Sequence, residues 1–97
     1  MRVITRTTLI TFYEKDADAR SALEEWYEKT KNADWTCFAD VKKTFNSVDN
    51  VGNQRYVFNI RGNKYRLVAI IVFQVKQVYI RYIGKHDEYN KIDCRNI

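Results

Sequence analysis

The segment Tyr56-Val57-Phe58-Asn59-Ile60-Arg61-Gly62-Asn63-Lys64-Tyr65-Arg66-Leu67-Val68 decides the fold. β-Branched and aromatic residues alternate up to a Gly-Asn pair, and apolar residues resume beyond it with period two. That is the pattern of an antiparallel hairpin. With Gly62-Asn63 as a two-residue turn, Arg61 stands opposite Lys64, Asn59 opposite Arg66 and Val57 opposite Val68. Residues opposite each other share a face, so Phe58, Ile60, Tyr65 and Leu67 form the apolar side. The second strand runs from Tyr65 to Gln74, a turn follows around Val75, Lys76 and Gln77, and a third strand covers Val78 to Ile83. This register pairs Phe73 with Val78, Ile71 with Ile80 and Ala69 with Tyr82. On the other face it pairs Val72 with Tyr79, Ile70 with Arg81 and Arg66 with Lys85. A slip of one residue would turn arginines into the core, which favours this register.

Upstream the period is that of helices. Met1 to Thr5 alternates briefly and predicts a short first strand, and Leu9, Ile10, Phe12 and Tyr13 mark a helix over 6–14. A second helix, capped by Asp16 or Asp18, places Ala19, Ala22, Leu23, Trp26 and Tyr27 on one side. Glu24, Glu25 and Glu28 fall opposite; with Lys29 and Lys31 beside them they are a solvated, ion-paired face rather than a catalytic carboxylate pair. A third helix, capped by Asp34, carries Phe38, Val41 and Phe45. Residues 46–55, rich in Asn, Ser, Asp and Gly, predict a loop, and Glu88 to Asp93 a short terminal helix. Helices followed by an antiparallel meander predict an α+β class: N-terminal helices packed on a small, mainly antiparallel twisted sheet, in one domain covering 1–97.

Composition narrows the function. The chain has 97 residues with 45% hydrophobic and 30% charged side chains, which excludes a disordered chain. Its longest apolar run, Leu67 to Phe73, is far short of a membrane span, and no signal-peptide pattern opens it. The expectation is a cytoplasmic protein without a membrane partner. Cys37 and Cys94 have no partners at metal-ligand spacing, and they read as a small buried residue and a C-terminal bystander. No metal site and no cofactor are predicted.

Charge is the strongest functional signal. The first fifty residues carry eight basic and nine acidic side chains, whereas 51–97 carry nine basic and three acidic, and no acidic residue lies between Asn50 and His86. The predicted register gathers Arg61, Lys64, Arg66, Arg81 and Lys85 on one sheet face with no carboxylate nearby. Like charges across strands repel unless an anion neutralises them, so this face reads as a polyanion site, and nucleic acid suits it best. His86, the only histidine, follows directly, with Tyr89 three residues on. His and Tyr can move protons around a phosphate while Arg66 and its neighbours stabilise charge.

These residues, taken together, resemble the HigB-type toxins of the RelE superfamily of type II toxin–antitoxin systems. The matching pieces are Arg2-Val3-Ile4-Thr5, Ala22-Leu23-Glu24-Glu25-Trp26-Tyr27, Ala33-Asp34-Trp35, Phe38 to Phe45, Ser47-Val48-Asp49, the hairpin 56–68, Val78-Tyr79-Ile80-Arg81 and His86-Asp87-Glu88-Tyr89. The resemblance implies a compact, microbial-ribonuclease-like fold and a ribosome-associated mRNA endonuclease that inhibits translation. It further implies cleavage by 2′-OH attack without a metal, and neutralisation by a HigA-type helix-turn-helix antitoxin. Carried over, the RNA-gripping positions are Arg61, Lys64 and Arg66, joined by Arg81 and Lys85, and the catalytic ones are His86, Tyr89 and Arg66. The family often has Thr before the His and Asp after the Tyr; here these are Lys85 and Asn90. Two other readings use the same basic face: a non-catalytic RNA- or ribosome-binding module, and a subunit that binds an acidic protein.

Overall fold

The computed structural model describes every residue except 90. Its element order is β1 (Arg2–Val3), α1 (Arg6–Lys15), α2 (Arg20–Lys31), α3 (Phe38–Thr44), β2 (Val48–Gly52), β3 (Arg55–Ile60), β4 (Tyr65–Val72), β5 (Gln77–Lys85) and α4 (His86–Tyr89), with 3-10 turns at Ala17–Ala19 and Phe73–Val75. The sheet is five-stranded in the order β1-β5-β4-β3-β2. All pairs are antiparallel except β1 with β5. The α+β class is therefore as the sequence predicts.

The first hairpin holds its register, with Val57 opposite Val68 and Asn59 opposite Arg66. Its connection is longer than two residues: the last ladder pair is Ile60 with Tyr65, and 61–64 form the turn. Arg61 and Gly62 both adopt positive φ (53° and 65°). Glycine takes that conformation freely and arginine does not, so the turn imposes a conformation on Arg61 that its neighbours must hold.

The second hairpin corrects the predicted pairing. Ile71 faces Val78 and Ala69 faces Ile80, two places from the expected register, because the chain reverses through Phe73–Val75 and a left-handed Lys76. The ladder then shifts by one, so that Val68 faces Tyr82, Arg66 faces Gly84 and Tyr65 faces Lys85. Arg81 is the extra residue, a β-bulge. The bulge reverses which side of β5 faces which way: Lys85 shares the side of Tyr65 and Arg81 leaves the ladder, so neither joins Arg66.

Residues 46–55 are likewise not all loop. Val48–Gly52 pair with β3, with an irregularity between Asn50 and Gly52. Polar composition hid an edge strand whose Asp49 and Asn50 face solvent.

The core lies between the helices and one sheet face. Ala19, which leads into α2, and Leu23, Trp26 and Thr30 on it are buried at helical spacing, and Trp26 meets Phe58 edge-on with centroids 5.4 Å apart. Phe45 meets Phe58 in the same way at 5.3 Å. Such pairs add about 0.5–1.5 kcal/mol beyond burial. The helix ends differ from expectation: neither Asp16, Asp18 nor Asp34 caps a helix with its side chain. Asp34 instead pairs with Lys76 at 2.9 Å, and α3 is steadied by Asp40, whose carboxylate accepts from the Thr36 amide (2.9 Å) and hydroxyl (2.7 Å). Both bonds hold the Asp40 carboxyl below the usual range. On the glutamate face, Arg20 pairs with Glu24 and Lys29 with Glu25, one turn apart. Phe38 is only half-buried, at the core's margin against Tyr56, and Cys37 is exposed rather than buried.

The opposite sheet face is covered by the chain's return. Val57 and Val68 are buried there, outside the helix-side cluster. Arg55 donates to the Ile97 carbonyl (3.1 and 2.8 Å), Arg95 to the Val51 carbonyl (3.0 Å) and Asn53 to the Arg95 carbonyl (3.2 Å). These bonds hold Arg95 and Ile97 against β2, β3 and the turn between them.

Candidate active site

Arg66 is the centre of the arrangement. Its Nη2 lies 2.8 Å from His86 Nε2, and its guanidinium stacks over the Tyr89 ring, 5.1 Å from the centroid. A guanidinium can only donate, so Nε2 is the acceptor in this contact. The half-buried Arg66 is fixed by β4, and His86 is fixed from a second side because its amide donates to the Lys64 carbonyl (3.1 Å). The hairpin turn therefore sets where β5 ends and where α4 begins.

Tyr89 is held by the returning tail. Its hydroxyl donates to Cys94 Sγ at 3.2 Å. Burial pushes its phenol up to about 12, reinforced by the Cys94 hydrogen bond and opposed by the Arg66 charge. At neutral pH Tyr89 thus holds its proton firmly. Cys94, expected to be a bystander, is the acceptor that orients it; a lone cysteine without metal spacing carries no sequence signal for that contact.

Two further residues sit in the site without a sequence signal. Gly84 faces Arg66 across the ladder, and a Cβ there would meet the Tyr82 hydroxyl and lie 2.7 Å from its Cζ and 3.3 Å from Glu88 Oε2. Glycine is therefore required for Tyr82 to lie flat along β5. The Tyr82 hydroxyl and Arg66 Nε are both buried without a hydrogen-bond partner among the described residues. Burial, and then the Glu88 carboxylate, raise the Tyr82 phenol.

The predicted basic set does not converge as drawn. Arg61 and Lys64 both ion-pair with the Asp18 carboxylate, and Arg61 Nη1 also donates to the Asp18 carbonyl at 3.2 Å. All three side chains are 40–53% exposed. Asp18 is thus the carboxylate that the charge pattern omitted, and it comes from the junction of α1 and α2. Neighbouring Asp16 accepts from the Tyr65 hydroxyl at 2.9 Å, which anchors the hairpin to the same junction. Arg81, exposed at its bulge, lies in a groove beside α1, and Lys85 is exposed on the helix side of the sheet. Asn90 lies outside the described residues. Among the described residues no three His, Cys, Asp or Glu side chains cluster as metal ligands, and no helix is long and apolar enough to cross a membrane.

Chemically, the site offers one fixed cation between a nitrogen base and a protonated phenol. Residues 19–92 match the family described as HigB toxin, the RelE-like toxic component of a toxin–antitoxin system. The chain is 28% identical over 94 residues to an mRNA interferase HigB of Escherichia coli O6:H1, an alignment covering 95% of this chain and 91% of that protein. It is 40% identical over 52 residues to the mRNA interferase toxin HigB of Escherichia coli K12, covering 52% of this chain and 50% of that protein. A Shigella flexneri mRNA interferase HigB matches to the same extent. With a family match that spans residues 19–92, most of its length, this chain belongs to the HigB toxin family, the RelE-like toxic components of toxin–antitoxin systems.

Proposed function

We propose that the protein is a cytoplasmic, ribosome-associated endonuclease that cleaves mRNA and so inhibits translation, and that an antitoxin of the HigA type neutralises it. The observation that carries this reading is Arg66 placed between His86 Nε2 and the Tyr89 ring. A scissile phosphate on the guanidinium draws it away from His86 and leaves Nε2 free to take a proton. The RNA 2′-OH then attacks phosphorus as its proton passes to His86. The P–O5′ bond breaks, and Tyr89, whose high-lying phenol keeps its proton at neutrality, protonates the leaving 5′ oxygen. The products are a 2′,3′-cyclic phosphate and a 5′-hydroxyl. Arg66 meets the charge that grows on the phosphorane oxygens, a role worth about 10²–10³-fold for one well-placed donor.

In this scheme no metal acts, which fits both the resemblance and a cation supplied by the chain itself. Arg61 and Lys64 grip flanking RNA once phosphates displace Asp18 from them. The test is induction of the protein in growing cells, followed by mapping of mRNA 5′ ends. New ends on translated messages, insensitive to chelators in the purified reaction, support the reading. Growth arrest with intact messages would favour the non-catalytic binding module instead.

A further inference from the structure

A groove of about 510 Å³ runs between α1 and the bulged part of β5. Thr7, Thr8 and Thr11 line it from α1, one turn apart or adjacent, with Lys15 at the end of the same helix and Arg81 across from them. Among the described residues no carboxylate lines it. Neither Lys15 nor Arg81 takes part in an ion pair among the described residues. A second cleft, between α2 and the end of β3, differs on this point, because Asp18 and Glu25 lie there beside Lys29 and Arg61.

The groove also adjoins the candidate active site. Tyr82 lines it through its place on β5, while its hydroxyl reaches over Gly84, the ladder partner of Arg66. We infer that this groove binds the phosphate backbone of the RNA strand flanking the cleaved bond, with Lys15 and Arg81 as charge partners and the threonine hydroxyls as neutral donors. The inference rests on the proposed function. A backbone-following cation groove suits single strands because phosphates recur whatever the sequence. The bulge takes Arg81 out of the ladder, and there it lines the groove opposite the α1 threonines and Lys15.

The test is binding of fully 2′-O-methylated single-stranded oligonucleotides, which cannot be cleaved, at lengths from about four to about sixteen nucleotides over a range of salt. The parent is compared with Lys15→Ala/Arg81→Ala and with Arg66→Ala, each first shown to melt as the parent does. The parent should bind longer oligonucleotides more tightly. The double variant should match it on the shortest oligonucleotides and lose about 1.4 units of salt slope on the longest, the amount for two single-strand phosphates. Arg66→Ala should weaken binding at every length. If the double variant keeps the parental slope at all lengths while Arg66→Ala is impaired, the groove inference fails and the functional reading stands. If the parent binds no oligonucleotide in a salt-dependent way, both fail. Parental RNA binding by the double variant combined with lost antitoxin binding would also overturn the inference, because the groove would then be a protein-docking surface.

Discussion

Arg66 donates to His86 Nε2 across 2.8 Å, from the start of β4 to the residue just after β5. The contact ties the candidate base to the candidate phosphate ligand before any substrate arrives. Arg66→Ala should therefore affect both binding and rate, with single-turnover cleavage falling by about 10²–10³-fold. Arg66→Lys keeps the charge but cannot reproduce a planar fork held at once by His86 and the Tyr89 ring. It should recover binding more than rate, and parallel affinity and single-turnover measurements separate the two.

Tyr89 is expected to ionise late. Its phenol is raised from an ordinary 10 to about 12, so the protonated form is favoured in the folded state. The stabilisation is complete below pH 10 and is lost as pH rises through 12. A difference titration of the parent against Tyr89→Phe, followed by phenolate absorbance, should show this late midpoint. Cys94→Ala removes the acceptor and should move the midpoint down, whereas Cys94→Ser should largely restore it. An unchanged midpoint in Cys94→Ala would mean that the sulfur contact does not orient the phenol.

Asp18 ion-pairs with both Arg61 and Lys64, so under the proposed function it competes with RNA for them. Asp18→Asn should strengthen oligonucleotide binding and steepen its salt dependence, since about 0.7 unit of slope accompanies each cation made available to a single-strand phosphate. Weaker binding in this variant would show that the carboxylate pre-positions the two cations instead of masking them.

Gly84→Ala places a methyl group against Tyr82. Overpacking of this kind costs about 1–3 kcal/mol, and thermal melting should register it. Combining it with Tyr82→Ala clears the space and should return most of the loss relative to Tyr82→Ala alone. On the helix side, Trp26 is 2% exposed, and Trp26→Ala should cost about 3–5 kcal/mol.

The sequence revealed the helices and the first hairpin because both announce themselves locally: α2 by Leu23 and Trp26 on one stripe, the hairpin by Gly62 between alternating strands. What it hid was non-local. The bulge at Arg81 follows from how β5 must meet both the turn at Phe73–Val75 and the hairpin beyond, and no pattern within Val78–Ile83 encodes it. Missing it placed Arg81 and Lys85 beside Arg66. Asp18 was missed for the same reason, lying 43 residues from Arg61 in the chain, where charge counting along a segment cannot see it. Arg66, His86 and Tyr89 lie together in the fold, whereas Gly84, Tyr82 and Cys94 are identified only by their positions in the fold. The edge strand Val48–Gly52 escaped because its exposed residues are the same polar types that make loops.

The central claim is that His86 and Tyr89 move the protons while Arg66 holds the phosphate. The most direct measurement is the single-turnover cleavage rate of ribosome-bound message by the parent and by the His86→Ala, Tyr89→Phe double variant, at saturating protein. Loss of one proton-transfer group costs about 10²–10⁴-fold, so the double variant should lose at least the lower figure while retaining its melting temperature and its antitoxin binding. A double variant that cleaves at the parental rate would contradict the account and place the chemistry elsewhere on the molecule.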